Sequence, residues 1–205
     1  MPKASWTRTP SSRPNLPAKP VIHPWHLRLA VRTVLGGGLI AYPTESVYGL
    51  GCDPLNPLAV FRLLALKKRS ADKGLILISD NFERLRPYLA QIPQTRLKPA
   101  LDSWPGPVTW LLPAAADLPF WIRGKHSTVA VRVTDHPVAA ALCHACGRPL
   151  ISTSANLSSR PPARNALQVR SRCGSAIDLI LHGETGDMKR PTPIRDLFSG
   201  RISRR

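Results

Sequence analysis

Three polar segments lie beside apolar runs that are typical of buried strands. YPTESVYGLG at 42–51 and SANLSSRPP at 154–162 each follow or continue such a run, and KKRSADKG at 67–74 precedes one. Loops at strand ends on one side of an α/β sheet are the usual place for a ligand crevice. We therefore expect the three segments to line one binding site.

The segment 42–51 is rich in short hydrogen-bond donors. The hydroxyls of Thr44 and Ser46, with the backbone amides near Gly49 and Gly51, can approach a small polar ligand closely. Glycine permits the tight backbone that such an approach needs. The same residues also suit a strand-to-turn connection stabilised by hydroxyl groups. The spacing alone does not choose between a binding loop and plain structure.

A cluster of cations marks the second segment, at the predicted end of a helix. It consists of Lys67, Lys68, Arg69 and Lys73. Cations at a helix C-terminus are favoured by the helix dipole, which is the structural explanation. As a functional site they would clamp a triphosphate, because arginine binds phosphate through a planar fork and lysine acts as a point charge.

The third segment, Ser152 to Asn156, is dense in small polar side chains. The amide of Asn156 both donates and accepts, so it suits a nucleotide or an amino-acid head group. The alternative is an Asx or Ser/Thr turn, which such residues form readily. The sequence contains no GxxxxGK[ST] loop, GxGxxG fingerprint, HExxH pair or nucleophile elbow. Any ATP chemistry must therefore use a less common phosphate cradle.

Helices and strands alternate along the chain, and this order predicts an α/β fold with six or seven strands in a mixed sheet. The predicted helices are 24–35, 57–69, one starting at Asp80 with Glu83 in a capping box, 94–101, 137–146 and 165–172. The predicted strands are 39–42, 75–78, 108–112, 128–133, 150–153, 177–181 and 192–197. In the second helix Leu58, Phe61 and Leu64 are expected to face the core. Pro193 suggests that the last strand lies at an edge.

The composition is strongly basic. The 205 residues include 29 Lys and Arg against 12 Asp and Glu, for a net charge of +17. A field of this sign attracts polyanions such as nucleotides and RNA, although it does not say which. No run approaches the roughly 18 apolar residues of a membrane span, and the N-terminus lacks the apolar core of a signal peptide. We therefore expect a soluble cytoplasmic protein with no membrane partner.

Two further features have structural interpretations. Residues 1–24 are rich in Pro, Ser, Lys and Arg, which predicts a basic flexible extension before the folded domain at 25–205. Cys143 and Cys146 form a lone CxxC with no second close pair for zinc. They follow an apolar helix, so core packing is the favoured interpretation over a metal or redox site.

Five motifs in order resemble the YrdC/Sua5 family, also called TsaC, the threonylcarbamoyl-AMP synthases. They are YPTESVYGLG at 42–51, Lys67-x-Arg69 with DKGLILIS after it, WPGPVT at 104–109, TVAVRV at 128–133 and STSANLSSRPP at 152–162. The similarity runs from about Trp25 to the C-terminus and suits the short, single-domain form. Two positions depart from the family pattern: Ser159 stands where SANxSG has glycine, and Ile78 stands where longer members can have histidine.

The resemblance implies a twisted, open α/β sheet with flanking helices and a concave, positively charged face. It implies catalytic roles for Lys67 and Arg69. The ATP-binding residues that it implies are Lys67, Arg69, Lys73, Thr109, Asn156, Arg164 and Arg204, with Arg201 as the alternative C-terminal arginine. The threonine-binding residues that it implies are Ser46, Ser154, Thr192 and Arg132. Glu45 is a candidate base for the threonine amine, but a structural role in a salt bridge or cap is the favoured interpretation.

The resemblance also implies the reaction and its partners. L-Threonine, bicarbonate and ATP would give threonylcarbamoyl-AMP and pyrophosphate, with Mg²⁺ carried by the ATP phosphates and no metal site of the protein's own. The product would pass to the complex that modifies adenosine-37 of ANN-decoding tRNAs. A non-catalytic double-stranded RNA or tRNA-binding module is the alternative that the charge supports. A carbamoyl-transfer domain of hydrogenase maturation is a third possibility, although that relative normally lies within a much longer chain.

Overall fold

The computed structural model describes residues 22–157 and 161–204, with backbone alone for 203 and 204. In these residues the helices are α1 (Pro24–Leu35), α2 (Pro57–Lys67), α3 (Gln94–Asp102), α4 (Phe120–Arg123), α5 (Pro137–Cys146) and α6 (Ala166–Cys173). The strands are β1 (Ile40–Pro43), β2 (Tyr48–Gly51), β3 (Ile76–Ser79), β4 (Thr109–Pro113), β5 (Thr128–Val133), β6 (Leu150–Ser154), β7 (Leu179–Ile180), β8 (Ile194–Asp196) and β9 (Ile202–Arg204). The α/β class predicted from the sequence is confirmed.

All nine described strands form one open sheet in the order β7-β1-β2-β6-β3-β5-β4-β8-β9. The sheet is mixed, as predicted, because β3 runs parallel to β5 while β6 lies antiparallel to both β2 and β3. Two strands were not predicted. One is β9, and the other is β2, which lies in the segment 43–51 that we expected to be a loop.

Each face of the sheet carries its own apolar core. Alternation along β1 shows the division, since Leu39 and Ala41 join one cluster while Ile40 and Tyr42 join the other. The first, larger cluster is covered by α2, α3 and α6. The second is covered by α1 and α5, which pack against each other over β1 and β3. These two helices cover only part of their face, and the remainder forms the cleft described below.

Capping residues account for several helix starts. The side chain of Asn56 accepts a hydrogen bond from the Ala59 amide at the start of α2, and Asn165 does the same for Gln168 at α6. The bounds predicted for α1 and α5 agree with the structure. Cys143 and Cys146 are buried in the second core, so their interpretation as packing residues is confirmed.

Three local predictions were wrong. Leu58 and Phe61 face solvent, with exposed fractions of 78% and 45%, because α2 turns Val60 and Leu63 toward the core instead. No helix begins at Asp80, whose carboxylate pairs with Arg84 and His144 within a series of turns. The strand β8 is not at the edge, since β9 pairs with it on its outer side.

Two further predictions concern the N-terminal extension and membrane-spanning helices. The extension predicted at 1–24 falls almost entirely outside the described residues, and α1 already begins at Pro24. Within the described ranges no helix is both long and apolar enough to cross a membrane.

Candidate functional site

The part of the sheet that α1 and α5 leave uncovered is the floor of a cleft of about 570 Å³. Side chains from β2, β6, β3, β5, β4 and β8 reach it, and the segments before β3 and β5 form its rim. All three polar segments identified in the sequence contribute to its lining. The predicted site residues among the lining are Ser46, Lys67, Arg69, Lys73, Arg132, Ser154, Asn156 and Thr192.

The Lys67 side chain links the end of α2 to the end of β6 and the segment after it. Its ammonium group donates to the carbonyl oxygens of Ser154 at 2.6 Å and Asn156 at 2.7 Å, and to Asn156 Oδ1 at 2.7 Å. Burial, with a smaller contribution from the nearby Arg69 guanidinium, lowers the pKa of Lys67 to about 8. Two predicted site residues, Lys67 and Asn156, are therefore in direct contact.

Arg69 follows the end of α2, where Lys68 adopts the left-handed conformation and stops the helix. One guanidinium nitrogen donates to the Gly74 carbonyl at 2.9 Å. The Arg69 Nε is buried and has no hydrogen-bond partner among the described residues. A buried donor without a partner is costly, so this atom is available to an incoming acceptor.

The turn between β1 and β2 presents Ser46. Thr44 closes this turn, since its hydroxyl donates to the Val47 carbonyl at 2.7 Å and its amide donates to the same oxygen. Ser46 is 3% exposed, and its hydroxyl has no partner within the described part of the chain. The turn is thus held by Thr44, while Ser46 keeps its hydrogen-bonding capacity for a ligand.

A buried ion pair forms another part of the wall. Arg132 on β5 lies 3.2 Å from the Glu45 carboxylate and donates to the Thr192 hydroxyl at 2.7 Å. The other Glu45 oxygen accepts from the Thr134 hydroxyl at 2.6 Å. The structural role expected for Glu45 is confirmed, and the pair orients Arg132 at the edge of the cleft.

Thr192 reaches the cleft because the segment 182–192 is anchored along the β1–β2 turn. The Tyr48 hydroxyl donates to the Gly183 carbonyl at 2.7 Å. The amides of Gly186 and Met188 donate to the carbonyls of Thr44 and Glu45. A segment far along the chain is thereby fixed next to the turn that carries Ser46.

The charged side chains that line the cleft are positive. Among the described residues its lining includes six Lys and Arg side chains and no carboxylate: Lys67, Lys68, Arg69, Lys73, Arg123 and Arg132. Of these, only Arg132 forms an ion pair with a carboxylate within the described residues. A group of cations in a cleft whose described lining has no carboxylate attracts a polyanion and concentrates it there.

Two predicted residues with described side chains, Thr109 and Arg164, do not line the cleft. Thr109 on β4 is fully buried, and its hydroxyl has no partner among the described residues. Arg164 donates to the Lys189 carbonyl at 2.9 Å outside the cleft. The Arg204 side chain lies outside the described residues, so its role remains a prediction.

The two departures from the family pattern also have different outcomes. Ser159 lies outside the described ranges. Ile78 is fully buried in the second core, under the helices rather than at the cleft.

The sequence analysis missed Arg123 and His126, which line the cleft from the segment between α4 and β5. The local pattern RGKH contains basic residues just before a predicted strand, which was the available signal. Nothing local indicated that this segment packs beside Lys73, because the contact joins two separate parts of the chain.

No group of three or more His, Cys, Asp or Glu side chains suited to a metal ion occurs in the described residues. The lining of the cleft offers hydroxyls, carbonyls and cations. This donor set suits phosphate oxygens and the groups around them, and it lacks the carboxylates that usually hold a hard cation on a protein.

Comparisons with known proteins agree with the geometry. The Sua5/YciO/YrdC family model, described as "Telomere recombination", matches residues 32–205. The threonylcarbamoyl-AMP synthase of Nitrosococcus oceani is 53% identical over 86% of this chain and 95% of its own length. That of Halorhodospira halophila is 52% identical over 91% of this chain and 97% of its own length.

A solved structure supports the fold. The crystal structure of P. abyssi Sua5 complexed with L-threonine superimposes with a TM-score of 0.80 at 35% identity. The match covers 87% of this chain and 52% of that one. This chain therefore corresponds to about half of that longer protein.

Proposed function

The chain belongs to the Sua5/YciO/YrdC family, and from this premise we propose how its cleft makes threonylcarbamoyl-AMP. The activity is that of a transferase acting in tRNA modification, as its relatives of about 50% identity are named threonylcarbamoyl-AMP synthases. L-Threonine and ATP are the substrates consistent with that naming, and bicarbonate supplies the carbamoyl carbon.

One observation carries the assignment of the cleft. A described lining that contains cations and no carboxylate lies beside a turn that presents a buried Ser46 hydroxyl, and this hydroxyl has no hydrogen-bond partner among the described residues. The first feature suits a triphosphate, and the second suits the polar groups of an amino acid. A site for RNA backbone alone would not need the second feature.

ATP would bind along the row of cations that begins at Lys67. Lys67 and Arg69 would stabilise the charge that develops on the phosphoryl oxygens during transfer. Asn156, which contacts Lys67, lies on the nucleotide side. In the free protein Lys67 donates to backbone carbonyls, so its hydrogen bonds must be shared or exchanged when phosphate enters.

Threonine would bind beside the β1–β2 turn. Ser46 offers its hydroxyl, Ser154 lies on the neighbouring strand β6, and Thr192 lies next to Arg132. The Arg132 guanidinium is a counterion for a carboxylate, although Glu45 already neutralises much of its charge. In this proposal the amino acid binds next to the phosphate site.

The reaction then follows from proximity. The neutral threonine amine adds to bicarbonate with loss of water, or to CO₂ with loss of a proton to solvent, and gives an N-carboxylate. This carboxylate attacks the α-phosphorus of ATP. The bond to the bridging oxygen breaks, and pyrophosphate leaves with the electron pair. No covalent nucleophile of the protein is required, and positioning supplies much of the rate.

We propose that Mg²⁺ enters as part of MgATP. The cleft lining has no carboxylate to hold a resident ion, so the phosphates themselves would be its principal ligands. When bound, the ion would neutralise charge on the phosphates. The product would then serve the cytoplasmic complex that modifies adenosine-37 of tRNA.

A direct assay tests the proposal. The protein is incubated with L-threonine, bicarbonate, Mg²⁺ and α-labelled ATP, and pyrophosphate and the labelled adenylate are measured. Pyrophosphate release is expected only when threonine is present. A folded protein that releases none would refute the proposal.

Variants locate the activity. Lys67→Met and Arg69→Ala are expected to abolish turnover, while Arg62→Ala on the same helix should retain it. Arg62 is the matched control because it pairs with Asp178 and does not line the cleft. Equal losses in all three would show that the helix matters only for folding.

RNA remains a second candidate partner because the net charge is +17. Binding to tRNA is measured at several salt concentrations, since backbone contacts give a steep salt dependence. Tight RNA binding without any threonine-dependent turnover would favour the binding-module alternative.

A further inference from the structure

The segment between α4 and β5 packs against the segment that carries Lys73. The Leu75 amide donates to the Ile122 carbonyl at 2.8 Å, and the Lys125 amide donates to the Asp72 carbonyl at 3.0 Å. These bonds bracket Arg123 on one segment and Lys73 on the other. Both side chains line the cleft.

Two glycines make this packing possible. A Cβ at Gly74 would lie 2.9 Å from the Arg123 carbonyl oxygen, and one at Gly124 would collide with the Asp72 carbonyl. Both glycines also have positive φ, at 62° and 66°. The two backbones can therefore meet more closely than residues with side chains would allow.

Gly74 also connects Arg123 to Arg69. Its carbonyl accepts from the Arg69 guanidinium, while the Arg123 backbone lies against its Cα. Lys67 contacts Ser154 and lies two residues before Arg69 in the chain. Arg69 contacts Gly74, which lies against the Arg123 backbone. Arg123 precedes the start of β5, whereas Arg132, one of the proposed threonine residues, lies near the end of that strand.

The expected position of the triphosphate relates Arg123 and Lys73 to the reaction. The α-phosphorus must lie near threonine, so the rest of the triphosphate has to extend away from it. The Arg123 side chain has no carboxylate partner among the described residues, and it donates one hydrogen bond there, to the His126 carbonyl at 3.2 Å. Its remaining donors are free to bind an anion in fork geometry.

We propose that Arg123, beside Lys73, forms a subsite for the terminal phosphates of ATP and for the departing pyrophosphate. The proposal rests on the proposed function of the cleft and adds an anion-binding residue from a segment that the sequence motifs did not include. Arg123 stabilises the charge that passes to the leaving group when the bond to the α-phosphorus breaks.

Binding of phosphate compounds tests the subsite without turnover. Calorimetry with inorganic pyrophosphate, tripolyphosphate, AMP and L-threonine is carried out on the wild type and on Arg123→Ala. The variant should bind pyrophosphate and tripolyphosphate about tenfold more weakly or worse, the loss expected for a charge-assisted contact. Binding of AMP and of threonine should change less than about twofold, because neither carries the terminal phosphates.

Lys125→Ala is the matched control. It removes the same charge from the same segment, but Lys125 is 77% exposed and pairs with Asp72 outside the cleft. Its binding of all ligands should equal that of the wild type. Arg123→Lys should bind pyrophosphate more tightly than Arg123→Ala but less tightly than the wild type, because lysine keeps the positive charge but cannot donate two parallel hydrogen bonds as a guanidinium does.

Two outcomes would overturn the subsite. One is pyrophosphate binding to Arg123→Ala that equals the wild type. The other is an equal loss in Arg123→Ala and Lys125→Ala, which would indicate only a long-range field. Both outcomes can be distinguished from failure of the proposed function, because that function is tested separately by threonine-dependent pyrophosphate release in the wild type.

Discussion

The carboxylate of Glu45 and the guanidinium of Arg132 form an ion pair at 3.2 Å. Both side chains are almost fully buried, with exposed fractions of 5% and 6%. Glu45 belongs to the turn that presents Ser46, and Arg132 lies on β5 in the cleft wall. The pair therefore joins the proposed threonine residues to the sheet.

Breaking this pair should destabilise the protein. Glu45→Gln removes one charge and leaves Arg132 buried without compensation, so we expect a loss of about 3–5 kcal/mol in the free energy of unfolding. Urea denaturation measures it. Glu83→Gln is the control, since the Glu83–Arg86 pair is 72% and 65% exposed and should contribute at most about 1 kcal/mol. Equal effects of the two variants would contradict the structural role of Glu45.

Ser46→Ala should separate binding from stability. The Ser46 hydroxyl is buried and has no partner in the described residues, so its removal should leave the free energy of unfolding unchanged or higher. If it binds threonine, the KM for threonine should rise about fivefold or more, while the KM for ATP stays constant. Steady-state kinetics and thermal denaturation test both parts. Thr44→Val should instead lower stability, because that hydroxyl closes the turn.

Lys67 should make activity and stability change in opposite directions with pH. Its pKa is about 8 in the folded protein against 10.5 for an ordinary lysine. As the pH rises through about 8, the cleft loses a positive charge, so kcat/KM for ATP should fall. Between the two pKa values the unfolded chain binds more protons, so this residue should make the free energy of unfolding rise with pH.

The stability part is measured as the difference between the wild type and Lys67→Met from pH 7 to 10. Lys98→Ala is the control for kinetics, because Lys98 pairs with Asp102 at the surface and should leave the pH profile unchanged. A value of kcat/KM that stays flat to pH 9.5 would argue against a charged Lys67 in catalysis.

Gly74→Ala should disturb the phosphate end of the cleft. The new Cβ would meet the carbonyl oxygens of Arg123 and Ile122 at 2.9 and 3.1 Å, at a φ of 62°. We expect a loss of stability well above 1 kcal/mol and a higher KM for ATP. Chemical denaturation and kinetics measure these effects.

Gly147→Ala is the control for backbone strain alone. Its φ is 67°, but nothing lies within 4 Å of the added Cβ. It should cost about 1 kcal/mol and leave the KM for ATP unchanged. If both variants behave alike, the close approach at Gly74 does not position Arg123 and Lys73.

Local signals predicted most elements, and their failures have a common cause. The periodicity and caps of α1, α5 and α6 are contained within each segment, so their bounds could be inferred. In α2 the apolar residues lie all around the helix, so periodicity could not choose its buried face. At Asp80 a capping pattern was present, but ion pairs with Arg84 and His144 use the carboxylate instead.

The strand β2 shows a similar limit. Its sequence, YGLG, carries two glycines and suggests a turn. It forms a strand because β1 and β6 lie on its two sides and satisfy its backbone, and close approach of the Ile151 carbonyl leaves no room for a Cβ at Gly51. Pairing with distant partners overrode the local preference.

The sequence by itself determined the fold class, most element bounds, the polar segments and the basic charge, because each depends on residue type and short-range spacing. Only the tertiary structure decided which residues meet. Lys67 and Asn156 are 89 residues apart in the chain, yet their side chains touch in the cleft. Arg123 joined the cleft, and Thr109 and Arg164 did not line it, because strand order and backbone packing between distant segments set these positions.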